Sequence, residues 1–564
     1  MPVRPDRTRF IPLLLVLATL AAFGMATRCD FTQWDDPSTL ALNPSFNPPG
    51  VRKMLHYWRH PHMGLYIPVT YTAWTALAAT AQGELPNGTG SHLKASVFHT
   101  ANVLLHCLSV LVVYAILKLL FRMEWPACGG AMLFALHPVQ VEPVAWVSGL
   151  KDLLCGLLSL VAIWQYLLYA IHAPVKVLPS GNRWDTAHPA PWRQPLRERK
   201  YMHFGVATIA FVAAMLAKPT AIVTPIICFA IDFWMLRRQL RRILKPLLIW
   251  AILTLPVIAI SAKTQTADDV VTYIKPFLRP LVAGDALTFY LGKLIAPMAM
   301  AVDYGRRPEV VLGSAWSRVA WMLPVSLAIW IILRRRKRPW LVAASVAFVA
   351  PLLPVLGLRP FLMQYTSTVA DHYLYLAMLG PAIVLTSVLT RHRNPDVAIA
   401  CVLLFGAFLL RSAVQVTYWK DDETLVRHTL AVNPYSFTAR INLGHDLERR
   451  GDFQGARNQF AEAVRLNPFL AIAQRNLAIE EISLKHWDEM EAHGMALMAI
   501  ERERPQHAQL VFASDFALIG RQFIYQNAPS RAEPFLEEAL RINPTQADAI
   551  ADLAAVKKML ATRP

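Results

Sequence analysis

The charged residues of this chain are bunched, and that feature limits what it can fold into. Much of 11–27, 96–121, 131–171, 204–234 and 341–357 carries few or no charges. Apolar runs near 20 residues match the roughly 30 Å hydrocarbon core of a bilayer. Composition agrees: 55% of the 564 residues are hydrophobic and 17% charged, against about 25% charged in soluble domains. The pattern predicts a polytopic membrane protein and argues against a soluble enzyme.

The formal charge of +18 does not call for nucleic acid, because the cations sit where topology needs them. Arg237, Arg238, Arg241, Arg242 and Lys245 form one cluster between apolar runs, and Arg334, Arg335, Arg336, Lys337 and Arg338 form another. Short basic loops between spans mark the cytoplasmic side. With these as pins, about eleven spans are predicted, near 9–27, 96–121, 126–145, 150–171, 201–217, 219–236, 244–261, 315–333, 339–357, 372–390 and 396–415. An N-terminus bearing Arg4, Arg7 and Arg9 starts inside. Alternation then puts 172–200, 237–243, 334–338 and 391–395 in the cytoplasm. It puts 28–95, 262–314, 358–371 and everything after about 416 on the exoplasmic side. The first run lacks a clear small-residue cleavage site and reads as a retained span. The six cysteines lie mostly in apolar runs without metal-type spacing, which argues against a disulfide framework or a structural zinc site.

After Trp419 the chain becomes amphipathic and charged. Asn433-Pro434 recurs 34 residues later as Asn467-Pro468, the tetratricopeptide period. Leu443-Gly444, Gly451 and Ala456 fall where that repeat needs helix packing and a tight turn. Pro505 and Asn543-Pro544 extend the punctuation with looser spacing. The reading is two domains, 1–417 in the membrane and 418–564 exoplasmic, the second holding about three repeats plus a closing helix from Gln546. Such repeats stack into an α-solenoid whose concave face binds a partner. A helical domain that only stiffens the membrane part is the plainer alternative.

Polar residues that topology does not explain gather at exoplasmic span ends, where ionisable groups are costly. Trp34-Asp35-Asp36-Pro37 follows the first span. Adjacent carboxylates raise each other's pKa and one beside an acceptor hydroxyl could act as general base, or the pair could cap a short helix. His137, Glu142, Trp146, Lys151 and Asp152 cross the turn between the third and fourth spans, where Pro138 and Pro143 break regular helix. Lys218 before Pro219, and Lys293 in 285–297, could hold an anionic phosphate or snorkel to headgroups. Asp371-His372-Tyr373 and Tyr375 open the tenth span, where the tyrosines also suit an interfacial belt. His56, His60 and His62 lack fixed ligand spacing, so an aromatic interfacial helix suits the first loop better than a metal site. A divalent metal ion stays open as a cofactor.

Longer stretches carry a resemblance. Phe98-His99, Asn102 and His106, then ALHPVQVEPVAWVSGLKDLL (135–154), LAKPTAIVTPIICFAIDFW (216–234) and VADHYLYLAMLG (369–380) resemble the transmembrane and tetratricopeptide-repeat-containing O-mannosyltransferases and their bacterial relatives. WDDPSTLALNPSF (34–46) and YWKDDETLVRHTLAVNP (418–434) are similar to that family's acidic first loop and its passage into the repeats.

The resemblance implies an all-α fold, a GT-C helical bundle followed by the solenoid. It also implies transfer of a sugar from a polyprenyl-phosphate carrier to a protein hydroxyl, O-glycosylation on the exoplasmic side. Asp35 or Asp36 would be the base, with Asp35 slightly favoured. His137, Glu142, Lys151, Asp152, Lys218, Lys293, Asp371, His372, Tyr373 and Tyr375 would bind donor phosphate and substrate.

The expected partners are the lipid-linked donor, a protein acceptor and membrane lipids. The expected place is a bacterial inner membrane with a cytoplasmic N-terminus and periplasmic repeats, or the endoplasmic reticulum in a eukaryote. Many relatives have a basic residue where Leu150 stands and Arg where His372 stands. A non-catalytic repeat scaffold and a lipid-linked-sugar flippase are the competing readings.

Overall fold

The computed structural model describes residues 9–83, 91–171, 199–264, 274–392, 394–503 and 510–562. The expected cytoplasmic segment 172–200, the first cations Arg4 and Arg7, and the Pro505 spacing mark lie wholly or mostly outside the described residues. Two compact units emerge, Met1–Asp421 and Asp422–Pro564. Among the described residues both are helical, with isolated β-bridges but no strand.

In the first unit the long Ala95–Phe121 helix packs on Ile11–Phe23, Glu124–Leu136 and Leu150–Ile171, and Leu150–Ile171 packs in turn on Lys200–Ala217. The unit is apolar outside as well as inside. Leu13, Leu17, Ile209, Ile252, Leu255, Leu333, Val402, Leu403 and Leu410 are exposed, while His99, Asn102 and His106 are buried. That is the pattern of a protein solvated by lipid, whose polar side chains face the bundle interior.

Among the described residues, eight helices are long and apolar enough to cross a membrane, nine if the bent pair Asp371–Ala377 and Leu379–Arg391 is one span. The expected eleven included 126–145 and 339–357, and proline explains both differences. Glu124–Leu136 has 13 residues, about 20 Å of helix, and ends at His137 because Pro138 pushes its predecessor out of the helical region. Pro339–Val349 tightens into 3-10 turns over Ala350–Val355, where Pro351 and Pro354 lack the N–H that continued α-helix needs. The 50° bend in the pair before Arg391 falls just ahead of Pro381, which cannot donate to the carbonyl of residue 377.

In the second unit Phe437–Arg449 pairs with Phe453–Leu466, Ala471–Leu484 with Trp487–Glu503, and Leu510–Tyr525 with Pro529–Ile542, before the closing helix Ala547–Ala561. Gly451 turns the first hairpin at φ +79°. Gly444 lies against the Phe460 ring, where a side chain would have no room. Ser436 and Asp452 cap the two helices by accepting the N–H groups of Ala439 and Gly455. These are the positions the 34-residue spacing singles out, and the unit is a tetratricopeptide-like α-solenoid.

Candidate functional site

The two adjacent aspartates have opposite surroundings. Asp36 is fully buried, and both of its oxygens are taken. Oδ2 accepts the N–H and hydroxyl of Thr32 at 2.9 and 3.1 Å. Oδ1 accepts the N–H and hydroxyl of Ser148 at 3.0 and 2.6 Å. Burial pushes its carboxyl up to about 6, and the four donors hold it from rising further. Asp35 keeps a side chain 33% exposed, with Oδ2 3.7 Å from Lys151 Nζ. Of the pair, Asp35 can meet a substrate and Asp36 ties the loop to the bundle.

The turn expected between spans is a run of short helices, Pro138–Gln140, Val141–Ala145 and Val147–Gly149. It precedes the helix that carries Lys151 and Asp152. The motif residues of the long helix secure it from behind. Asn102 donates to the Trp146 carbonyl at 2.7 Å. His106 donates from Nε2 to the Ala135 carbonyl and takes the Tyr375 hydroxyl on Nδ1, each at 3.1 Å; a carbonyl only accepts, which settles the tautomer. Lys151 Nζ stands over the Trp146 ring, 4.7 Å from its centre.

Glu142 is the hinge between this turn and the Asp371–Tyr373 segment. Its Oε2 accepts the N–H groups of Asp371 and His372 at 2.8 and 3.1 Å, and its Oε1 accepts Nδ1–H of His372 at 2.7 Å. His372 is thereby held by one ring nitrogen, and Nε2 is left for the cavities it lines.

Lys218 reaches the same place for a local reason. The residue before a proline is driven extended, and Lys218 at φ −157°, ψ 126° leaves the helix axis. Its Nζ ends 2.5 Å from Asp152 Oδ1 and 5.5 Å above the Tyr373 ring. A narrow cavity runs between Asp152, Lys218, Thr220, His372, Tyr373 and Tyr375, with about 30 Å³ of free space, room for about two waters. A smaller one, about 10 Å³, shares His372 and Tyr373 and reaches Trp34, Glu142 and Trp146.

Three expected residues have other duties. His137 accepts the Val139 N–H on Nδ1 and donates from Nε2 to the Leu294 carbonyl, 3.4 and 3.2 Å away, so both ring nitrogens are used in capping a turn. Lys293 donates to the carbonyls of Met298 and Ala299 at 2.6 and 2.8 Å and lies over the Tyr304 ring. It closes its own turn. Asp371 accepts the Tyr304 hydroxyl at 2.7 Å, with its other oxygen buried and unpartnered. His56 and His60 stack at 4.4 Å, and among the described residues no group of three or more His, Cys, Asp or Glu is placed to hold a metal ion.

Ser148, Thr32, Tyr304 and the pair of half-buried Arg306 with buried Asp285, at 2.5 Å, escaped the sequence reading. Ser148 stands inside the WVSGLKD stretch, but a serine among apolar residues signals nothing until its partner comes from 112 residues away.

No protein-family model matches the chain. Among curated proteins it is 30% identical over 138 residues to the fruit-fly (Drosophila melanogaster) Protein O-mannosyl-transferase Tmtc2, covering 24% of this chain and 12% of that protein. It is 30% identical over 174 residues to the Mus musculus Protein O-mannosyl-transferase TMTC1, covering 29% and 18%. A Caenorhabditis elegans protein, Protein O-mannosyl-transferase F38B6.6, aligns over 83% of this chain and 64% of its own length at 22% identity. The matches thus span less than two thirds of these relatives. A solved structure entitled "Crystal structure of APC/C hetero-tetramer Cut9-Hcn1" aligns over 87% of this chain at 14% identity, but its TM-score of 0.22 is too low to equate the folds. The sequence resemblance thus stands on curated relatives that share the name protein O-mannosyl-transferase, one of them aligned along most of this chain.

Proposed function

We propose that the chain is an integral membrane glycosyltransferase that moves a sugar from a polyprenyl-phosphate carrier to a protein hydroxyl on the exoplasmic side, with the repeats recruiting the acceptor. The observation that carries this reading is the contrast within the acidic pair: Asp35 is accessible and beside Lys151, while Asp36 is spent on structure. Trp34, next in the chain, lines a cleft with His372 and Tyr373. The names of the relatives favour the same chemistry.

In this reading Asp35 takes the proton of the acceptor hydroxyl as its oxygen attacks the anomeric carbon. The bond from that carbon to the phosphate oxygen breaks, and its electron pair leaves on the phosphate. A phosphate leaves without a general acid, unlike the leaving groups of two-carboxylate glycosidases, but the charge it gains needs fixed cations. Lys151 and Lys218 supply them, with His372 beside Lys218 in the same cavity. The cavity beside Lys218 is too small for a phosphate as it stands, so the donor enters as Lys218 exchanges Asp152 for the phosphate. The repeats lie on the side of the chemistry, in the periplasm of a bacterium or the lumen of the endoplasmic reticulum.

The test is intact-mass and glycopeptide analysis of exported proteins from the host with and without the gene, complemented by wild type or Asp35→Asn. A hexose-sized mass that vanishes, returns with wild type and stays absent with the variant supports protein glycosylation. An unchanged glycan profile in cells that express the chain overturns it.

A further inference from the structure

We propose that Ser148 is a positioning residue that grips both members of the acidic pair and so sets Asp35 against Lys151. The inference rests on the glycosyltransferase reading and adds a residue to it.

Ser148 is the middle residue of the helical turn Val147–Gly149, three residues before Lys151. Its N–H and hydroxyl both end on Asp36 Oδ1, the hydroxyl at 2.6 Å. Its single hydroxyl proton is committed there, because an ionised carboxylate only accepts. The Thr39 hydroxyl, 2.9 Å from Ser148 Oγ, is therefore the donor of that contact. The Thr39 hydroxyl has one proton, shared between Ser148 Oγ and the Asp35 carbonyl oxygen 2.8 Å away, and that carbonyl is held independently by the Thr39 N–H, which it accepts at 3.0 Å. One serine thus fastens the Asp36 side chain directly and the Asp35 main chain through Thr39, and it does so from the element that carries Lys151. Among the described residues the Asp35 side chain makes no bond shorter than its 3.7 Å approach to Lys151, so its aim depends on how its backbone is held. Misplacing a reacting group by about 1 Å costs on the order of 100-fold in rate.

The latch also has a pH signature. Ser148 supplies two of the four hydrogen bonds that favour the ionised form of Asp36, burial is the largest opposing cause, and no charged neighbour contributes. A protonated Asp36 would turn an O–H toward groups that themselves donate, and the grip would slacken. Removing the Ser148 hydroxyl deletes one ion-stabilising bond, so Asp36 would take up its proton at a higher pH.

The experiment uses the full chain in detergent or native membranes, a short-chain polyprenyl-phosphate mannose as donor probe and the acceptor recovered by glycopeptide mapping. All rates are normalised to folded protein. Ser148→Ala is expected to lower kcat roughly 10- to 100-fold with KM for the donor nearly unchanged, and to move the acid limb of the rate profile upward. Ser148→Thr should restore both. Thr39→Val, which spares the Asp36 bonds, should lower kcat by a smaller factor and leave the acid limb in place. Wild-type kcat and an unmoved limb in Ser148→Ala overturn the proposal, as does a loss that follows only the folded fraction. If Asp35→Asn keeps full activity, the glycosyltransferase assignment of Asp35 itself falls, and the latch has nothing to aim.

Discussion

Lys218 Nζ lies 2.5 Å from Asp152 Oδ1, and the second oxygen of that carboxylate is buried without a hydrogen-bond partner. The cation that sequence motifs nominate for an anionic donor is therefore already neutralised, inside a cavity with little free space. In the proposed reading, a donor phosphate would replace the Asp152 carboxylate as the partner of Lys218.

Breaking that pair from either side should be costly. Lys218→Met leaves a buried, unpaired carboxylate and should destabilise the protein by about 3–5 kcal/mol, the range for removing one partner of a buried ion pair. Lys218→Met with Asp152→Asn should recover much of that loss in thermal melts, while donor turnover stays absent. Additive losses in the double-mutant cycle would show that the two groups do not act as a unit.

Within the acidic pair, chemistry and stability should separate. Asp35→Asn should abolish sugar transfer with little change in melting temperature, since its side chain is one-third exposed. Asp36→Asn puts an amide N–H toward two donors of either Thr32 or Ser148 and should destabilise the chain by about 1–3 kcal/mol. Equal melting temperatures for the two variants would contradict this division.

The short helix Glu124–Leu136 depends on close approach. A side chain at Gly130 would press on the Thr386 hydroxyl and come within 2.7 Å of the Ala382 carbonyl. Small residues let helices meet in lipid. Gly130→Ala should cost about 1–3 kcal/mol as overpacking, read as a lower midpoint of unfolding in detergent.

In the repeats, Glu480 is buried with one oxygen unpartnered. Burial, with Glu448 and Glu481 nearby, pushes its carboxyl up to about 7. A carboxyl whose folded pKa is raised binds its proton more tightly in the native state. Its favourable contribution is complete below the unfolded value near 4.5 and is lost as pH rises through about 7. Glu480→Gln should therefore be more stable than wild type at pH 8 and differ little at pH 4. Hydrogen exchange of the Ala471–Leu484 amides reads this locally; slower exchange at pH 8 in the variant is the expected result.

The broad architecture was legible because its signals are local. Apolar run length reports a membrane, and the 34-residue spacing of Asn-Pro reports a solenoid through Gly444, Gly451 and Ala456. The span count was less legible, because the prolines at 138, 143, 351 and 354 break runs that hydropathy averages across. Lys218 stands out in the sequence because the proline after it drives it extended and off its helix axis, and Lys151 because it follows a turn interrupted by Pro138 and Pro143. His137 and Lys293 looked alike in sequence, yet backbone carbonyls of 294, 298 and 299 claim them, and such partners leave no residue-type signature.

What the sequence determined by itself is therefore what depends on neighbours along the chain: membrane residence, helical repeats, the acidic first loop and the extended turn at Lys218. Only the tertiary structure decided which aspartate is free and which is spent, because Asp35 and Asp36 are chemically identical and adjacent. Their difference comes from Thr32 together with Ser148, the latter brought from 112 residues away, which fill one carboxylate and leave the other beside Lys151.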